Sequence, residues 1–307
     1  MKEKVKVAKL SILSNTGLIG IKLAAGLSTG SVSIISEAIH STMDLAASII
    51  AFFSVKISSK PADRQHPYGH GKFENVSGVL EAVLIFIASL WIIIESAKKL
   101  INGQEVTSSN IGFIVMFLSA GVNYLVSKKL YDTSKKVDSI ALEADALHLK
   151  TDVYTSLGVG AGLFLIWITD LHFLDPVIAI FVALFILKEA FTLLKVAFAP
   201  LVDVKLCDGE IELITSILNR YNFRYCDFHK LRTRKSGDKR YVDLHLVFPQ
   251  NMSVKNAHDI CDKIETEIEY SLKNTECMIH LESCDNNCGN CPFYTEYTSA
   301  NASRDEH

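Results

Sequence analysis

Between Ala8 and Pro200 the chain alternates long apolar runs with short polar loops, and each run is near the roughly 20 residues a helix needs to cross a bilayer. The runs fall near 10–28, 32–56, 77–99, 110–130, 142–168 and 174–198. They predict a membrane-embedded, all-α, six-helix bundle over residues 1–201. Apolar side chains make up 49% of the 307 residues and charged ones 21%, too greasy for an ordinary soluble enzyme. The first run follows Lys2, Lys4, Lys6 and Lys9 and superficially resembles a signal peptide. Five further runs come after it, so an uncleaved first membrane helix is expected.

Lysine and arginine set the orientation. The loop after the second run holds Lys56, Lys60, Arg64 and Lys72, and the loop after the fourth holds Lys128, Lys129, Lys135 and Lys136. On the other side only Lys98 and Lys99 stand out, so both termini are expected in the cytoplasm of a multi-pass protein of the plasma membrane. A net charge of -3 gives no reason to expect nucleic acid as a partner.

From Val202 onward the pattern is that of a soluble α+β domain over 202–292: helix 208–220, strands 225–234 and 239–248, helix 253–274 and strand 277–283. Val242, Leu244, Leu246 and Phe248 alternate with Tyr241, Asp243 and His245, so one face of that strand is apolar and the other polar. This αββαβ order predicts a small sheet with two helices on one face. The polar tail 293–307 is expected to be disordered. All seven cysteines lie in this third, where a cytosolic setting favours thiol or metal chemistry over disulfides. Cys284, Cys288 and Cys291 have spacing moderately specific for a soft metal, with no evident fourth ligand; three reduced, spare thiols are the equal alternative.

The apolar runs are interrupted in a repeated way. SEAIHSTMD places His40 four residues before Asp44, and DALHLKTD places His148 four before Asp152. Residues four apart share a helix face, so two such faces meeting in a bundle supply two imidazoles and two carboxylates. That is a tetrahedral set suited to zinc, and two carboxylates neutralise a divalent ion in a low-dielectric interior. An empty site should take up protons instead, because bare carboxylates are costly there. A site that holds either a metal ion or protons is the chemical core of an exchanger. The plain alternative for one pair is a hydrogen bond linking two helices; its repetition at identical spacing favours the metal. Glu37, Glu143 and Asp145 lie near or a turn before the pairs, lining an aqueous approach or taking structural bonds.

Two further clusters are soluble. ADRQHPYGHGKFE offers Asp63, His66 and His70 beside Pro67, Gly69 and Gly71, against the alternative of a solvated loop with incidental histidines. The C-terminal third holds His229, His245, His258, His280 and Glu282, half of the ten histidines. His280 and Glu282 are two apart on a strand and share its face.

Together the two intramembrane pairs, HPYGHGKFE, LRTRKSGDKR and MIHLE resemble the cation diffusion facilitator family of divalent-metal/proton antiporters, over nearly the whole chain to about Ser283. The resemblance implies a homodimer that exports zinc in exchange for protons. It implies a transport site at His40, Asp44, His148 and Asp152, and a loop site at Asp63, His66 and His70. It also implies a zinc pair at a cytoplasmic dimer contact, held by His229, His245, His258, His280 and Glu282. Well-known bacterial exporters have Asp where this chain has His40, and the His version looks like the more zinc-selective branch; Glu282 replaces an Asp. Cadmium, ferrous iron, cobalt and manganese remain alternative cargoes, since raw affinity does not separate divalent metals. A metalloenzyme is disfavoured, as no HExxH is present. A non-transporting sensor has no use for intramembrane ligands in duplicate.

Overall fold

The computed structural model describes residues 2–29, 32–102, 110–169 and 174–285. The chain divides into two compact units between Leu201 and Val202.

The first unit is helical: α1 (Lys2–Thr29), α2 (Val32–Ser58), α3 (Lys72–Asn102), α4 (Asn110–Val137), α5 (Ile140–Thr169) and α6 (Leu174–Phe198). A 3-10 turn follows at Ala199–Val202. Helix α5 touches each of the other five, and its small side chains explain how. Ala141, Ala144 and Ala146 are fully or almost fully buried, and small residues let neighbouring helix backbones approach closely. Gly78 on α3 serves the same end. A Cβ built there meets Ile140 Cγ2 at 2.6 Å and Ala197 Cβ at 3.1 Å, so the α3 backbone lies against α5 and α6 with no room for a methyl group.

Among the described residues, Glu3–Ala24, Lys72–Lys98 and Pro176–Val202 are long and apolar enough to cross a membrane. Helix α5 is 30 residues long and carries Glu143, Asp145, Lys150 and Asp152 in its first half. Its apolar residues Ala141, Leu142, Ala146 and Leu149 pack in a cluster with Val7, Val55, Val126 and Leu130, drawn from α1, α2 and α4.

The N-terminal boundary differs from the sequence expectation. Helix α1 starts at Lys2, not near residue 10, and Lys4 is buried. Its ammonium donates to Glu74 Oε1 at 3.2 Å; the same carboxylate accepts from Ser58 at 2.7 Å and from Ser139. One buried acid thus joins α1, α2, α3 and the start of α5, and pairing is what makes a buried lysine tolerable.

The second unit contains α7 (Asp208–Arg220), β1 (Asp227–Ser236), β2 (Lys239–Phe248), α8 (Val254–Ser271) and β3 (Thr275–Ser283), in the expected αββαβ order. The sheet order is β1-β2-β3, with β1 antiparallel and β2–β3 parallel. The β1–β2 turn uses Gly237 at φ +60°, a conformation glycine adopts without steric cost. Ser253 caps α8 by accepting from the Asn256 amide at 3.2 Å, and α8 then makes the crossover that a parallel pair requires. Val242, Leu244, Leu246 and Phe248 share one core with Ile214, Ile217 and Leu218 of α7 and Ala257, Cys261, Ile264 and Ile268 of α8. Both helices therefore cover the apolar face of the sheet, leaving the face of His245 open. Strand β1 starts two residues later than expected, β3 two earlier, and α8 ends three earlier, before Asn274 at φ +55°.

Candidate metal centres

The first centre is inside the helical unit. Asp44 of α2 is buried, and its Oδ1 lies 3.3 Å from Nε2 of His148 on α5. Asp152, one turn further along α5, joins them: one ligand atom from each of the three lies within 4.8 Å of the others. Helical spacing accounts for both faces, since His148 and Asp152 are four apart on one helix. His40 sits one turn before Asp44 on α2, and its side chain lies outside the described residues, as does that of Glu37.

A polar second layer supports this centre. Asp145 is fully buried and accepts from Ser48 Oγ at 3.0 Å. Ser48 in turn accepts from Asn15 Nδ2 at 2.8 Å and lies 2.9 Å from Ser11 Oγ. The Asn15 amide also reaches the Asp44 carbonyl at 3.5 Å. Asp145 therefore takes the structural bond that was one of its two sequence readings. Glu143 does so too, through Lys135 at 2.5 Å.

Two buried residues here escaped the sequence reading. Lys22 of α1 donates to Ser41 Oγ at 2.7 Å, in the stretch of α2 between His40 and Asp44. Glu81 of α3 is fully buried and accepts from Ser77 at 3.1 Å. The signal was available: an ionisable side chain inside an apolar span is expensive enough to mark function by default.

The second centre is the loop between α2 and α3. Asp63 Oδ1 lies 3.3 Å from His66 Nδ1, Asp63 Oδ2 lies 3.4 Å from His70 Nε2, and the two rings are 4.3 Å apart. The local sequence builds this. Asp63 Oδ1 accepts from the amides of Gln65 at 2.9 Å and His66 at 2.7 Å, an Asx-type turn. Gly69 at φ +84° then turns the chain back. The His66 amide holds the Asp63 carboxyl below its ordinary value, helped by the Gln65 amide and opposed by desolvation. His70 is buried; Asp63 and His66 are exposed.

The third centre lies on the open face of the sheet. Register places His229, His245 and His280 side by side across all three strands. Glu282 bridges two of them, with Oε1 2.6 Å from His245 Nδ1 and Oε2 2.9 Å from His229 Nε2. Ligand atoms of His229, His245 and Glu282 all lie within 4.8 Å of one another. The His280 ring is 4.7 Å from that of His245, so it flanks the cluster. A register shift between His229 and Arg232, with Lys230 at φ +52°, marks a bulge beside the site. The His245 hydrogen bond keeps the Glu282 carboxyl below its ordinary value. His258 stands apart: it is exposed on α8, which packs on the opposite face, and it lies 3.5 Å from Asp262.

The cysteines divide. Cys261 and Cys277 are core side chains, and burial pushes the Cys261 thiol up to about 12 and that of Cys277 further, so they pack as small hydrophobes. Cys284 is buried at the end of β3; Cys288 and Cys291, like the tail 293–307, lie outside the described residues.

Comparison with known proteins agrees with this anatomy. Residues 8–202 match the cation efflux transmembrane domain, and residues 207–284 match the cytoplasmic domain of cation efflux proteins. The chain is 35% identical over 275 residues to the uncharacterized transporter sll1263 of Synechocystis sp., covering 90% of this chain and 89% of that one. It is 29% identical over 279 residues to the cation-efflux pump FieF of Cronobacter sakazakii, covering 91% and 92%. Among solved structures, the Zn form of the transporter CzrB is 30% identical over 26% of this chain and 90% of its own, with a TM-score of 0.25. The metal-bound C-terminal domain of CzcD from Thermotoga maritima is 27% identical over 27% and 99%, with a TM-score of 0.24. A helical membrane-type domain followed by a small three-stranded α/β domain, matched along nearly its whole length, makes this chain a transporter of the cation diffusion facilitator (cation efflux) family.

Proposed function

We propose that the protein is a homodimeric exporter in the plasma membrane, exchanging Zn2+ for protons through six membrane spans, with both termini cytoplasmic. The observation that carries this reading is the meeting of Asp44, His148 and Asp152 from two separate helices, ligand atoms within 4.8 Å of one another. With His40 one turn before Asp44, the donors are two imidazoles and two carboxylates, a borderline set that suits zinc in tetrahedral geometry. The loaded site carries no net charge, which lowers the cost of holding an ion away from water. When the ion leaves toward the far side, protons take its place on the same groups. An inward-driving potential contributes about 2.3 kcal/mol per charge moved per 100 mV.

The residues 202–292 then form a cytoplasmic sensing and dimerisation domain, in which His229, His245, His280 and Glu282 bind regulatory zinc and His258 is the outlying member. Asp63, His66 and His70 form a loop site on the cytoplasmic side. The test is uptake of Zn2+, Cd2+, Fe2+, Co2+ and Mn2+ into vesicles holding the purified protein under an imposed pH gradient. Gradient-dependent accumulation with zinc fastest is expected. Faster transport of another ion reassigns the cargo, and uptake indifferent to the gradient rules out exchange.

A further inference from the structure

Glu81, like Asp145, is a fully buried acid that neither the metal set nor the helix-joining network around Glu74 uses. It projects from α3, which packs against α5. Ala82, its chain neighbour, shares a buried cluster with Ala144 and Leu147 of α5, so Glu81 lies level with the segment that carries Asp145 and His148. Its side chain is fully buried, and Ser77 occupies only Oε1; Oε2 has no hydrogen-bond partner. On α5 the complementary atom is also unsatisfied. His148 turns Nε2 to Asp44, while Nδ1 is buried with no partner. Glu81 lies within electrostatic range of both His148 and Asp145. A buried donor or acceptor left unpaired costs about 1–3 kcal/mol, so two complementary orphans in one packed interface are a poor resting arrangement.

Metal-ligating imidazoles need a partner on the second nitrogen. A histidine that coordinates through Nε2 carries its proton on Nδ1, and an outer carboxylate accepting that proton fixes the tautomer and makes the ligand more basic. We propose that Glu81 is a positioning residue of the intramembrane site, the outer carboxylate that accepts from Nδ1–H of His148 when Nε2 faces the ion. This rests on the reading of Asp44, His148 and Asp152 as the transport site. It assigns α3, which supplies none of the four ligands, a direct part in holding the cargo. Asp145 is the competing partner, since its Oδ2 is also unsatisfied. Its other oxygen is held by Ser48, on the side of α1 and α2, whereas Glu81 stands on α3 and, among the described residues, is held only by Ser77 of its own helix.

The experiment uses the full chain in detergent, with Asp63, His70, His245 and His280 replaced by alanine so that only the intramembrane site binds. Zn2+ affinity and the visible absorption spectrum of bound Co2+ are recorded for Glu81→Gln, Glu81→Asp, Asp145→Asn and Asp152→Ala. Glutamine keeps the volume of Glu81 and the Ser77 contact. Glu81→Gln is expected to weaken zinc binding 10–100-fold, the usual effect of losing an outer-shell partner, and to shift the Co2+ band. Glu81→Asp should lose less affinity while still shifting the band, which keeps the test decisive if the glutamine variant does not fold. Wild-type affinity and spectrum in either Glu81 variant overturn the assignment. So does a band shift in Asp145→Asn with none in Glu81→Gln, which gives the role to Asp145. If Asp152→Ala binds zinc as tightly as the parent, the transport-site reading itself falls; loss there with unaltered Glu81 variants sinks only the role of Glu81.

Discussion

Asp44 Oδ1 and His148 Nε2 stand 3.3 Å apart in the helical unit although 104 residues separate them in the chain. The contact joins α2 to α5 and places a carboxylate against an imidazole where neither is readily solvated. Asp44→Ala leaves the proposed site one negative charge short, so a bound divalent ion is no longer neutralised. Zinc flux by the purified variant in vesicles is expected to fall at least 100-fold, with the elution profile of the folded protein unchanged. Near-normal flux contradicts the assignment.

Lys4 and Glu74 predict a stability effect. Both are almost fully buried and 3.2 Å apart. Lys4→Met leaves the Glu74 carboxylate with only hydroxyl donors from Ser58 and Ser139. Breaking a buried pair by removing one partner costs about 3–5 kcal/mol. Thermal melting in detergent should drop clearly for Lys4→Met and less for Lys4→Met combined with Glu74→Gln. Equal melting of Lys4→Met and wild type means that the pair contributes nothing.

The α7–β2 contact predicts a pH effect. Burial is the largest single influence on the Glu210 carboxyl and tends to raise it, but the hydrogen bond from Arg240 Nε at 2.6 Å, the charge of Arg240 and hydrogen bonds from Cys207 together hold the group below its ordinary value of 4.5. A carboxyl lowered on folding stabilises above its unfolded value, and that stability is lost as pH falls through the lowered one. Partly exposed, the pair contributes about 1 kcal/mol. Domain 202–292 carrying Glu210→Gln should melt below wild type at pH 7, with the gap closing below about pH 4. A gap that persists at low pH shows that packing, and not charge, is lost.

Replacing His245 and His280 tests regulation. The open sheet face has two imidazoles against Glu282, and zinc there is proposed to draw two soluble domains together. The double alanine variant should need at least tenfold more zinc for half-maximal transport, with the maximal rate retained. An unshifted activation curve, or a domain 202–292 that binds no zinc by calorimetry, removes the regulatory role.

What could be read in advance followed from how local each signal is. His148 and Asp152 announce themselves by a four-residue spacing, and the apolar face of β2 by a two-residue one, because both periods belong to a single element. The Asx turn at Asp63 is equally local. Glu81 has no partner in its own helix except Ser77, and its meaning depends on α3 packing against α5, which spacing does not encode. Nothing near Lys4 in the chain announces its role, because its partner Glu74 lies 70 residues away. His258 looked equivalent to the other histidines; only the sheet's two faces separate it from them.

The central claim is that metal and protons compete for one intramembrane site. Ligands must be deprotonated to hold a metal, so zinc affinity there has to fall as pH is lowered. The direct test is zinc binding from pH 5.5 to 8 on the full chain with the loop and soluble-domain ligands replaced by alanine. Affinity that declines steadily toward pH 5.5, with protons released as zinc binds, is the predicted result. Affinity that stays flat across that range, with no proton release, contradicts the exchange mechanism.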